Sequence, residues 1–139
     1  MKPIVRNIIA VVVGWLIGGF INGAIVEVGM STYPSDIDTT DYDAISSFLE
    51  SASFVYFLYP FIAHLAGSFV GGFIAALISK NRKMGTALIV GGLFFLGGVI
   101  VTFLIPAPAW FIALDLIVAY FPMAFLGGIM AKNLFKKKR

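Results

Sequence analysis

Residues 53–105 read SFVYFLYPFIAHLAGSFVGGFIAALISKNRKMGTALIVGGLFFLGGVIVTFLI: two apolar runs, 53–79 and 84–105, parted by the basic break Lys80-Asn81-Arg82-Lys83. A bilayer's hydrocarbon core, about 30 Å thick, is crossed by about 20 helical residues. Each run is long enough to cross, and the break makes the chain turn on one side. Two more runs of this kind, 7–28 and 109–131, flank the pair. The expectation is an all-α fold: a polytopic membrane protein whose 1–139 form a single membrane domain, a bundle of four transmembrane helices.

Composition supports lipid as part of the solvent. The chain of 139 residues is 60% hydrophobic and only 12% charged, more apolar surface than a domain of this size can hide from water. The absence of Cys excludes disulfides and thiolate chemistry, and a single His excludes an imidazole-rich metal site within one chain. No cofactor is expected. No HExxH motif or glycine-rich phosphate loop is present, so an enzyme is not the expectation either.

The charges are sorted. With the four runs laid out as spans, all ten Lys and Arg fall at one side: Lys2, Arg6, Lys80, Arg82, Lys83, Lys132, Lys136, Lys137, Lys138 and Arg139. All seven acids, Glu27, Asp36, Asp38, Asp41, Asp43, Glu50 and Asp115, fall in the opposite half. The positive-inside rule then places the N and C termini in the cytoplasm and predicts a multi-pass protein of the cell (inner) membrane. A cleaved signal peptide does not fit the first run, which is too long and lacks a small-x-small cleavage site. The basic tail 132–139 comes directly after a span, so it reads as an anchor to anionic headgroups, with no nucleic acid as partner.

Glycine concentrates inside the runs. Gly14, Gly18, Gly19 and Gly23 mark the first, Gly67 and Gly71 the second, Gly91 and Gly98 the third, and Gly128 the fourth. Small residues one turn apart let helices approach closely in lipid, so these are the expected packing positions. Four short helices with this many small faces cannot cover all of them internally, so a homo-oligomer or a partner in a membrane complex is expected. A similar Gly-Gly pattern at Leu16–Ile21 and Phe95–Ile100, and Phe-x-Gly-Gly at Phe69 and Phe125, hints at two hairpins repeated in parallel.

The segment 30–47 is the expected acidic outer loop, with Asp41, Asp43, Ser46 and Ser47 suited to start a short helical lead into the second span. Its Asp-x-Asp spacing lacks the Gly and the closing Glu of a calcium loop. Tyr56, Tyr59, Trp110, Phe111 and Tyr120 read as interfacial aromatics, and Pro60 and Pro122 as kink positions.

Ionisable groups in hydrocarbon are the place to look for function. Counted from the basic end, His64 lies about 21 Å above Ile78, Asp115 about 24 Å above Ala131 and Glu27 about 31 Å above Arg6. His64 and Asp115 therefore share a level, and the expectation is that they meet inside the bundle. With Glu27 as an outer vestibule they would form a polar site for a proton, a cation or a small solute in a small transporter or channel-like module. The alternative is a satisfied polar clasp in a non-transporting scaffold or accessory subunit of a larger complex. Ser68, one turn from His64, is the sole conceivable nucleophile there, and no oxyanion hole accompanies it.

The stretches Pro60-Phe61-Ile62-Ala63-His64-Leu65-Ala66-Gly67 with Gly71, and Pro106-Ala107-Pro108-Ala109-Trp110-Phe111 leading into Leu114-Asp115-Leu116 and Ala119-Tyr120-Phe121-Pro122-Met123, resemble small bacterial four-helix integral membrane proteins. That resemblance implies no activity. It places His64 and Asp115 in the family-like segments.

Overall fold

The computed structural model describes residues 1–136 and is helical throughout, with no strand among them. Six helices succeed one another along the chain: α1 Pro3–Met30, α2 Tyr42–Ser51, α3 Val55–Ile78, α4 Lys83–Leu104, α5 Ala109–Val118 and α6 Phe121–Lys136. Four stretches are long and apolar enough to cross a membrane: α1, α3, α4 and the α5–α6 pair.

The central helix is α3, which packs against α1, α4 and α6. Its buried face is made of small residues, among them Ala63, Gly67, Gly71, Gly72, Ala75 and Ala76. Apart from Phe57, which is buried on α3, many large apolar side chains face outward: Ile4 and Phe20 of α1, Leu96 and Phe103 of α4 and Ile117 of α5 are all more than half exposed. A water-soluble bundle has the reverse arrangement. Here backbones approach through small residues and bulky chains face outward, as packing in lipid favours.

The approach is close at named positions. A Cβ on Gly14 would stand 2.5 Å from the Gly71 carbonyl oxygen, and one on Gly72 would stand 2.7 Å from the Ala124 carbonyl oxygen. Gly18, Gly67, Gly71, Gly91, Gly98 and Gly128 likewise sit against neighbouring helices. Gly19 and Gly23, expected among the packing glycines, meet nothing within 4 Å, because they lie on the side of α1 turned away from α3. The repeat hint fares unevenly: Gly18 is gripped by α3, whereas its counterpart Gly97 faces open space.

Except at the end of α6, the span ends shift by up to four residues, α1 starting at Pro3 where 7 was expected, and three features differ in kind from the sequence reading. The lead into the second span is a separate amphipathic helix, α2, started by the Asp41 side chain accepting from the Asp43 backbone N–H at 2.9 Å. Its Ile45 and Leu49 bury against Phe57 and Phe111 as a cap over the acidic end of the bundle. Ser46 Oγ ties it to the Pro106 carbonyl at 2.9 Å. The fourth span breaks between Val118 and Phe121. Pro122 has no N–H to give the Val118 carbonyl four residues back, and its ring crowds that position, so α5 stops at Val118. Finally, helix α6 continues to Lys136, so the tail expected from 132 begins as helix. Lys137, Lys138 and Arg139 lie outside the described residues.

Cations finish the opposite end. The last carbonyls of a helix lack partners and carry its negative dipole end. At the end of α3, Arg6 Nε donates to the Ile78 carbonyl, and Lys83 Nζ donates to the carbonyls of Ala76 at 2.9 Å and Ser79 at 2.8 Å. Ser79 Oγ donates to Asn7 Oδ1 at 2.8 Å, and Asn7 Nδ2 donates to Asn81 Oδ1 at 3.2 Å, joining α1 to the turn.

Candidate functional site

His64 stands on α3 between Pro60 and Gly67, and Asp115 lies three residues before the end of α5, ahead of the Pro122-induced break. The break redirects the side chains beyond it. In an unbroken helix Tyr120, five residues after Asp115, would point away from it. The interruption at Ala119–Tyr120 swings the Tyr120 ring inward, where it is 1% exposed.

Three side chains meet at this level. His64 Nδ1 lies 2.8 Å and 2.9 Å from the two carboxylate oxygens of Asp115. The Tyr120 hydroxyl donates to Asp115 Oδ2 at 2.7 Å and lies 3.0 Å from His64 Nδ1. Both oxygens of Asp115 thus have a partner within hydrogen-bond distance, His64 Nδ1 beside each and the Tyr120 hydroxyl on Oδ2. Asp115 is 5% exposed. Apolar groups enclose the rings: Phe95 meets Tyr120 edge-on at 6.2 Å, and the imidazole lies 5.4 Å from the Tyr120 ring.

The space for Tyr120 comes from a glycine on a neighbouring helix. A Cβ on Gly98 would collide with the Tyr120 hydroxyl, and one on Gly91 would stand 2.7 Å from the Ala124 Cβ. Gly98 therefore admits the ring while Gly91 sets how closely α4 and α6 approach. The sequence reading counted both as packing glycines and assigned Tyr120 to the interface. The signals that could have linked them were Pro122, which predicts the break, and the lack of another hydrogen-bonding residue near Asp115 on its own span.

The structure brings His64 and Asp115 together and leaves Glu27 apart. Glu27 is exposed on the last turn of α1 and bonds to neither. Ser68 is fully buried, and its Oγ bonds to nothing, His64 included. A second buried oxygen without a partner, Asn22 Oδ1, belongs to a side chain packed on Gly67, the residue beside Ser68. His64 Nε2 has no hydrogen bond among the described residues, and the His64 side chain is 16% exposed.

The acidic segment stays local. Asp38 accepts from the Thr40 backbone N–H at 2.9 Å and from its hydroxyl at 2.7 Å, which lowers the Asp38 pKa below its ordinary value. Tyr33 turns inward against Phe48 and Tyr56, and burial raises its pKa. The larger cavities lie along α6 at Leu126–Lys136, between α1 and α4, and around the Lys80–Lys83 turn, and none of those is lined by His64, Asp115 or Tyr120. No family model, curated protein or solved structure matches the chain.

Proposed function

We propose that the chain crosses the cell (inner) membrane four times with both termini and the Lys80–Lys83 turn in the cytoplasm, and acts there as a non-transporting scaffold or accessory subunit. In this reading His64, Asp115 and Tyr120 form the polar lock between the second and fourth spans. The observation that carries it is closure. Both Asp115 oxygens are engaged by groups of the same bundle, with Asp115 5% and Tyr120 1% exposed. A permeation site has to offer its groups to a passing solute, and these are held by each other. Sorting of the charges supports the topology, and the outward bulky side chains support lipid contact.

The test is reconstitution into liposomes under a proton or cation gradient. The parent should give no flux above empty vesicles, while His64→Ala and Asp115→Asn should lower thermal stability. Flux in the parent that disappears in a folded Asp115→Asn variant would overturn the scaffold reading.

That outcome would favour a small carrier or channel-like module for a proton, a cation or a small polar solute. Its specific support is the Nε2 of His64, without a hydrogen bond among the described residues, together with the unpartnered buried oxygens of Ser68, one turn along α3, and of Asn22, packed on Gly67.

A further inference from the structure

We infer that the seam between α1 and α4 holds one anionic phospholipid, its phosphate at the Lys80–Lys83 turn and an acyl chain along the two helices. The inference rests on the membrane-spanning reading and is independent of the scaffold role.

The headgroup end is a basic hollow of about 460 Å³ lined by Lys80, Arg82, Lys83 and Lys132 with Met84 and Gly85. No Lys or Arg among the described residues forms an ion pair. Arg6 and Lys83 are occupied in capping α3, so Lys80, Arg82 and Lys132, all exposed, remain for an external anion. The N-terminus of α4, a helix of 22 residues, opens into the same hollow. Arg82 supplies no side-chain cap, so the first backbone N–H groups of α4 are free to add to the attraction.

The acyl end is the seam itself. A groove of about 650 Å³ begins beside Asn81 and Arg82 and runs between Ile8 and Val12 of α1 and Ile89 of α4. A second groove, of about 520 Å³, takes up one turn further on, past Trp15, Leu93 and Phe94, to Gly19 and Gly97. Asn81, Arg82 and Gly85 line both the first groove and the basic hollow, so the polar and apolar parts are continuous. From Asn7 to Gly19 the seam is about 18 Å long, close to one leaflet's share of a core about 30 Å thick. Gly19 and Gly97 have nothing within 4 Å, which leaves the far end open for a chain.

A second copy of the protein is the competing occupant, and charge argues against it. In one bilayer it would bring its own cationic end to the same side, setting Arg82 and Lys80 against like charges. A lipid brings the opposite charge to that end and hydrocarbon to the rest.

The experiment is native mass spectrometry of the detergent-purified full chain with phosphatidylglycerol, phosphatidylcholine or the water-soluble glycerol phosphate, beside oligomer sizing. A single phosphatidylglycerol adduct should outlast phosphatidylcholine. Lys80→Gln with Arg82→Gln should weaken it about thirtyfold, taking roughly one kcal/mol per surface cation. Gly97→Leu or Gly19→Leu, which fill open space, should abolish it with helix content unchanged by circular dichroism. Equal retention of both lipids, equal binding of glycerol phosphate, or an adduct indifferent to the filled groove overturns the inference. So does a dimer that Gly97→Leu dissociates without touching lipid. A chain monodisperse in buffer without detergent would instead overturn the membrane reading beneath it.

Discussion

Replacing Gly14 with Ala should destabilise the bundle, and replacing Gly19 with Ala on the same helix should not. Both substitutions gain the same helix propensity, about 0.8–1.0 kcal/mol in soluble helices. They differ in what the new methyl meets. At Gly14 it would stand 2.5 Å from the Gly71 carbonyl oxygen and 2.9 Å from the Ala75 Cβ, where ordinary contact begins at 3.4 Å. The obstacle is partly backbone, so it cannot rotate away, and α1 and α3 must separate by most of an ångström. Such overpacking costs about 1–3 kcal/mol. At Gly19 nothing lies within 4 Å. Gly14→Ala should therefore fall about 1–3 kcal/mol below Gly19→Ala, read from unfolding midpoints in mixed micelles by circular dichroism and by the fluorescence of Trp15 and Trp110. Equal midpoints for the two variants, or a more stable Gly14→Ala, would refute the close α1–α3 contact.

Tyr120→Phe should lower stability by roughly 0.6 kcal/mol, and by no more than about 1.7, the mean and upper end for side-chain hydrogen bonds inside membrane bundles. In a double-mutant cycle with Asp115→Asn its effect should shrink, and strictly additive losses would mean the hydroxyl and carboxylate do not interact. Leu49→Ala, which empties a position 7% exposed beneath α2, should cost roughly 2–4 kcal/mol. It should also speed proteolysis within residues 30–52, and an unchanged cleavage rate would show that α2 does not depend on that contact. Thr40→Val should raise the Asp38 pKa towards its unfolded value, measured by carboxyl NMR titration. Because that pKa is lowered in the folded chain, its contribution is present above the unfolded value and lost as pH falls through the folded one. An identical titration in the variant would show that the Thr40 hydroxyl is not the cause, since the backbone N–H at position 40 remains.

The four long helices were legible because length and hydropathy decide a span almost alone. The shared depth of His64 and Asp115 came from the fixed rise per residue. Tyr120 was not legible, because an unbroken helix would carry it away from Asp115. Only the break before Pro122 turns it inward, and the break's position depends on where the lost hydrogen bond is best tolerated. Helix α2 was half legible: Asp41 marked its start, but the Ala52–Phe54 interruption depends on Phe57 and Phe111 receiving Ile45 and Leu49. Gly19 and Gly97 could not be told from Gly18 and Gly98 by sequence, since adjacent glycines face different neighbours and only the bundle's arrangement decides which is covered.

Because the chain has no Cys, one thiol introduced at a time reports sidedness without background. Ser35→Cys and Asn81→Cys, probed in intact cells with a membrane-impermeant maleimide, test most directly the crossing by α3 and the sidedness on which the fourfold threading rests. Labelling at 35 from outside, with 81 reached only after the membrane is opened, is the expected result. Labelling at 81 in intact cells, or equal labelling at both positions, would contradict it.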